Sequence, residues 1–149
     1  VSDDEIEPMI QKAGIPIRLV RDRAYDAIAL SDFAVVASGT ATLETAILGV
    51  PMLIVYKMSR MSYLMASRLV RVPHIGLINM VAGERIVPEL IQDQLTPERI
   101  MEEALHVLKD RVRSAEISKK LKQAVSRLGW PGASARAAEV VVQCLEGKG

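Results

Sequence analysis

From Asp32 to Pro51 the chain reads DFAVVASGTATLETAILGVP, and the architecture follows from these twenty residues. Phe33-Ala34-Val35-Val36-Ala37 is a continuous apolar run, the pattern of a strand buried on both faces. Ser38-Gly39-Thr40 turns the chain. Ala41 to Leu48 reads as a helix, with Gly49 as its stop and Pro51 just beyond. Pro51-Met52-Leu53-Ile54-Val55-Tyr56 is a second buried strand. Two strands joined through a helix imply a parallel pairing, and hence an α/β fold with a parallel sheet and helices on both faces.

The same alternation extends in both directions. Upstream, Asp4 to Ala13 reads as a helix with acids in its first turn and Gly14 as its stop. Ile17 to Val20 is a short strand and Tyr25 to Leu30 a brief helix. Downstream, Ser59 to Val72 is helical by period: Met58, Met61, Met65, Leu69 and Val72 form one apolar stripe, with Arg60, Arg68 and Arg71 on the other side. His74 to Ile78 is a further candidate strand, and Pro88 opens a short helix. Thr96-Pro97 is a helix start, an N-cap followed by proline at the first helical position, and that helix runs to about Lys109. Ile117, Leu121, Val125 and Leu128 mark another amphipathic helix, broken by Gly129-Trp130-Pro131-Gly132. Ser134 to Leu145 forms a last helix with a small-residue face. The expected organisation is a single unit over 1–149, with an α/β part over 1–95 and a C-terminal helical tail over 96–149. The chain begins without the strand that such a sheet has at its centre, so a fragment of a longer protein is expected.

In open α/β sheets a ligand sits at the carboxyl ends of the strands. The start of the helix after Ser38-Gly39-Thr40 offers unpaired N–H groups and a partial positive charge. Gly39 lets the backbone approach closely, and Ser38, Thr40 and Thr42 add hydroxyls. A diphosphate fits this chemistry, each charge–dipole contact being worth about 0.3–1 kcal/mol. The stretch is neither G-x-G-x-x-G nor a Walker lysine loop, and an ordinary hydroxyl-capped turn has the same residues. Glu44 lies in the first helical turn. There it either complements the dipole or accepts hydrogen bonds from sugar hydroxyls, as an acid does on a ribose in dinucleotide folds.

Composition narrows the classes. The 149 residues are 50% apolar and 25% charged, enough aliphatic content for a packed core and against disorder. Charge-free runs such as Thr45 to Tyr56 fall short of the ~20 apolar residues that span a bilayer. The N-terminus, VSDDEIEP, is acidic where a signal peptide has a basic region. One cysteine, Cys144, excludes a disulfide framework and suits a reducing compartment. Aromatics at 3% argue against base-stacking surfaces, so nucleic acid is not an expected partner. There is no Asp-x-Asp pair and no His/Cys cluster, so neither a metal nor a cofactor is expected. Net charge is +1, yet no acid lies between Glu44 and Glu84, where Lys57, Arg60, Arg68 and Arg71 leave the middle of the chain basic. His74, His106, Cys144 and Trp130 read as structural, Cys144 as a small buried hydrophobe.

SGTATLETAILGVP, VYKMSRMSYLMASRLVRVPHIGLIN, AGERIVPELIQDQLTPERI and the closing GASARAAEVV together resemble the C-terminal half of the lipid-A-disaccharide synthase family, over about Val20 to Leu145. A looser motif, small residues, a Thr, a Glu and then Gly-x-Pro, occurs across GT-B glycosyltransferases that use UDP-sugars. The resemblance implies an incomplete, Rossmann-like donor-binding domain of a GT-B fold. It implies transfer of 2,3-diacylglucosamine from its UDP donor to 2,3-diacylglucosamine 1-phosphate, giving lipid A disaccharide 1-phosphate and UDP. It implies that Ser38, Gly39, Thr40 and Thr42 face the diphosphate and that Glu44 holds the ribose. Asn79, Glu89 and Gln92 match positions that line the cleft between the two domains. Where the family has Leu-Pro-Asn, this chain has Leu77-Ile78-Asn79. The catalytic base is expected in an N-terminal half that this chain lacks, so the chain alone is expected to be inactive.

The substrates implied are acylated and lie at a membrane. A helix with Arg60, Arg68 and Arg71 on one side and Met, Leu and Val on the other suits an anionic surface, or else packs its stripe into the core. A cytoplasmic, peripheral position on the inner face of the inner membrane is expected, with a possible homodimer through the C-terminal helices. Two alternatives stand beside this reading. One is another GT-B enzyme using UDP-N-acetylglucosamine, such as a 2-epimerase or the lipid II-forming transferase. The other is a non-catalytic nucleotide-binding module.

Overall fold

A computed structural model describes residues 3–69, 73–129, 132–145 and 147, with the backbone alone at 3–4 and 65–69. Its centre is a three-stranded parallel sheet in the order β1-β2-β3, formed by Ala34–Ala37, Met52–Tyr56 and Glu89–Ile91. Val36 pairs with Ile54, and Ile54 with Glu89, so these three residues lie in one row on one face. The helices are α1 (Asp3–Ala13), α2 (Ala24–Ala29), α3 (Ala41–Ile47), α4 (Arg60–Leu69), α5 (Leu77–Ala82), α6 (Pro97–Leu108), α7 (Arg111–Ser126) and α8 (Ala133–Leu145), with a 3-10 turn at Gln92–Gln94.

One core holds the α/β part and two of the tail helices together. Val36, Met52 and Ile54 of the sheet pack with Ala46 of α3, Ile78 and Ala82 of α5, Val107 of α6 and Ile117, Leu121 and Ala124 of α7. The spacing of Ile117, Leu121 and Ala124 places all three on one stripe of α7, which is why that helix docks along its length. Leu53 and Leu90, on the opposite face of the sheet, are also fully buried. Both tail helices that join the core are capped: Thr96 accepts from Arg99 N, as the Thr96-Pro97 start signal suggests, and Asp110, which the sequence reading did not single out, accepts from Arg113 N. The result is an α/β domain with a parallel sheet flanked by helices, consistent with an incomplete Rossmann-like unit.

Five expectations need correction. Ile17–Val20 forms no strand, because no strand among the described residues pairs with it. β1 is an edge strand rather than one buried on both faces, and Val35 is 50% exposed. His74–Ile78 is no strand: Gly76 caps a helix that starts at Leu77. Pro88 introduces strand β3, not a helix, since Pro88 O accepts from Ile54 N and Glu89-Leu90-Ile91 continues the pairing with β2. Cys144 is exposed, because α8 buries none of its residues. Arg71, Val72, Trp130 and Pro131 lie outside the described residues, as do the side chains of Met65, Arg68 and Leu69.

Candidate functional site

The β1–α3 turn sits at the carboxyl end of the edge strand. Ser38 N still donates to Val55 O, so the ladder with β2 runs to the last residue before the turn. Gly39 then takes φ +155°, a conformation that L side chains rarely adopt. Thr42 N and Oγ1 both donate to Gly39 O, at 3.2 and 2.8 Å, and Leu43 N and Glu44 N donate to Thr40 O. The backbone N–H groups of Gly39, Thr40 and Ala41 find no acceptor among the described residues. Three consecutive free donors at a strand end make a partly positive place suited to an anion.

The side chains around this turn divide into two groups. Thr40 is exposed and its hydroxyl makes no capping bond. Glu44, half-buried in the first turn of α3, has no hydrogen-bond or ion-pair partner for its carboxylate among the described residues. Both remain available to a ligand. Ser38 and Thr42 are engaged inside the protein: Ser38 Oγ donates to Ile75 O at 2.9 Å, and Thr42 is fully buried with its hydroxyl on Gly39 O.

Asn79 and Glu89 bond to each other beside the first residue of β3, Gln92 follows its last residue, and all three are occupied. Asn79 is fully buried; Oδ1 accepts from Ile86 N and Val87 N, while Nδ2 donates to Val87 O and Glu89 Oε1. Glu89 is 7% exposed and takes Ile75 N on one oxygen and Gly76 N and Asn79 Nδ2 on the other. Gln92, with φ 52°, accepts from Met58 N and donates to Met58 O. Gln92 thus ties the turn after β3 to the loop after β2, and Asn79 and Glu89 tie the loop 73–76 to residues 86–89, together forming a rim of bonded loops. The sequence offered no sign of Gly76, whose role is steric. A methyl there would overlap Cδ1 of Ile54 and lie 3.1 Å from Glu89 Oε1. Among the described residues no group of three or more His, Cys, Asp or Glu is placed to hold a metal ion.

The basic stretch after β2 starts on the surface. Arg60 is exposed, Met58 is half-buried, and Met61 is 75% exposed, so this part of the stripe is not core. No helix of the described residues is long and apolar enough to cross a membrane.

The family model for lipid-A-disaccharide synthetase matches residues 3–144, which includes the turn, the rim and all three strands. The chain belongs to that family. Among its relatives, the lipid-A-disaccharide synthase of Syntrophus aciditrophicus (strain SB) is 46% identical over 142 residues, 95% of this chain and 37% of the relative. That of Nitrosococcus oceani is 43% identical, covering 97% of this chain and 37% of the relative. That of Geobacter sulfurreducens is 41% identical, covering 97% and 38%. The chain therefore spans well under half the length of these synthases.

Proposed function

We propose that this chain is the uridine-nucleotide-binding portion of a lipid-A-disaccharide synthase. The whole enzyme moves 2,3-diacylglucosamine from UDP to 2,3-diacylglucosamine 1-phosphate, releasing UDP. Family membership over residues 3–144 supports the reaction, and one local observation carries the site: the three unpaired amides of Gly39, Thr40 and Ala41, with the free Glu44 carboxylate one turn away. In this reading the amides take the diphosphate and Glu44 takes the ribose hydroxyls. Fixed amide dipoles stabilise the charge that develops on departing UDP without reorganising. The acceptor hydroxyl loses its proton to a carboxylate outside this chain. Ser38, Thr42, Asn79, Glu89 and Gln92 shape the walls, and the chain alone does not turn over.

Titration with UDP tests the site, and micromolar to millimolar binding is the expected result; an ordered turn with no nucleotide on it refutes the reading. A product assay of the full-length protein with acylated and non-acylated donors separates it from other enzymes of UDP-N-acetylglucosamine, and only the acylated donor is expected to react. The exposed Met61 and Arg60 support a peripheral contact with an anionic membrane face on the cytoplasmic side. Replacing Arg60, Arg68 and Arg71 with Ser in the full-length protein should weaken binding to anionic vesicles at low salt. The unburied α8, with Val140, Val141, Val142 and Leu145 exposed, supports association through the C-terminal helices. Sedimentation at several protein concentrations checks that.

A further inference from the structure

Glu89 is a buried carboxylate on the core-facing row of the sheet, and it has no cationic partner among the described residues. Its charge is met by N–H donors alone: Ile75 N at 2.9 Å, Gly76 N at 3.0 Å and Asn79 Nδ2 at 2.8 Å. Two of these are adjacent backbone amides in a loop that belongs to no ladder, so they have no strand to bond. A carboxylate is the side chain with two acceptor oxygens and no donor, which suits it to take both. Asn79 in turn is saturated by Ile86, Val87 and Glu89, which fixes the direction of the amide that meets the carboxylate. The carbonyl of Ile75, held in place by this clamp, accepts from Ser38 Oγ. Ser38 is the residue immediately before the Gly39 turn.

We propose that Glu89 is a positioning residue for the nucleotide. It acts through the Ile75–Gly76 backbone on Ser38 and the Gly39 turn, and does not touch the ligand. The proposal rests on the nucleotide site described above. It explains why a buried acid stands where an aliphatic residue would suit the core, beside Ile54 and Leu90. Removing the acid frees the 75–76 amides, releases the carbonyl that orders Ser38, and lets the three anion-facing amides lose their common aim.

The test is Glu89→Gln in the full-length synthase, alone and combined with Ser38→Ala. In the glutamine variant one oxygen becomes an NH₂ group facing an N–H, so one bond is lost with little change in volume. The NH₂ replaces Oε2, which holds one donor, so amide exchange at Ile75 of the ligand-free protein should accelerate about tenfold, the kinetic equivalent of one lost buried bond, while Leu53 and Ile54 stay protected. UDP affinity should fall about tenfold, and the donor's KM should rise while the acceptor's does not. A folding defect would lower only the active fraction and leave both KM values in place. The double variant should be no more than about twofold weaker than Glu89→Gln, because both changes cut one relay. Unchanged exchange at Ile75, or losses that multiply in the double variant, overturns the proposal. If Glu89→Gln does not fold, Ser38→Ala decides alone: it must weaken UDP with the 75–76 amides still protected. Failure of wild-type protein to bind UDP refutes the nucleotide site itself, and the exchange arm then still decides whether Glu89 is the clamp.

Discussion

Two loops meet at the carboxyl end of the sheet, and they treat their polar groups in opposite ways. Between residues 73 and 92 the buried polar side chains satisfy one another and the backbone, leaving Asn79 and Glu89 with no unbonded oxygen. Between residues 38 and 41 three amides and a hydroxyl, with the nearby Glu44 carboxylate, have no partner among the described residues. Unpaired groups that still reach solvent cost little, whereas the same groups buried cost about 1–3 kcal/mol each. The first loop is therefore a scaffold and the second a surface kept open. Two glutamates separate them: Glu44 is free for a ligand, and Glu89 is committed to the frame.

Substitutions in the scaffold should have the largest effects and should register as stability. Asn79→Ala removes four hydrogen bonds and leaves Val87 N and Val87 O buried without a side-chain partner, while Ile86 N keeps its bond to Glu84 O. A loss of about 3–5 kcal/mol is expected by urea unfolding. A loss below about 1 kcal/mol would mean that water enters this loop and that the two loops differ less than their hydrogen bonds suggest. Gly76→Ala comes next. Its methyl meets Ile54 Cδ1 and Glu89 Oε1, and overpacking of this kind costs about 1–3 kcal/mol. Gly39→Ala meets nothing within 4 Å, so its cost is one of backbone conformation at φ +155° alone. The two glycines thus separate steric from conformational need. Ile54→Val, which deletes the clashing Cδ1, should relieve Gly76→Ala but leave the cost of Gly39→Ala unchanged.

How far the sequence reveals these differences depends on the range of the forces involved. The strand–turn–helix of 33–48 is readable because its determinants are local: an apolar run, a small-residue turn and a glycine stop. Thr96-Pro97 is readable for the same reason. His74–Ile78 and Glu89–Ile91 exchange identities because their short apolar runs fit either structure. What decides is tertiary, the Glu89 carboxylate that takes the Ile75 and Gly76 amides and the pairing of Glu89 with Ile54. Ile17–Val20 has a strand's composition, but a strand exists only with a partner. At the site, the resemblance marks Asn79, Glu89 and Gln92 as important without saying how. Their bonds run 7 to 34 residues along the chain and leave no local signature.

On the open loop the expected effects move from stability to binding. Glu44→Ala removes a carboxylate with no internal partner, so unfolding should shift by less than about 0.5 kcal/mol. UDP binding should weaken by about 1–3 kcal/mol, the cost of leaving ribose hydroxyls unpaired. Calorimetric titration reads this directly, and equal affinity in the two proteins removes Glu44 from the site.

The smallest effects sharpen the comparison, because they use the same residue type at two helix starts. Thr96 lies in extended backbone and accepts from Arg99 N, a working N-cap. Thr40 sits at the start of α3 with φ −59° and ψ −29°, already helical, and its hydroxyl caps nothing. Thr96→Ala should therefore cost about 1 kcal/mol of stability. Thr40→Ala should cost only a few tenths, within the range of an ordinary surface change. If Thr40 serves the ligand, its removal should instead appear in UDP affinity, by about 0.5–1.5 kcal/mol for one neutral hydrogen bond. A threonine at a helix start that contributes to binding and not to folding is one whose capping geometry has been left to the anion. Equal stability losses at the two positions would show that the α3 start is an ordinary capped helix, and that the openness of the 38–41 turn has no functional content.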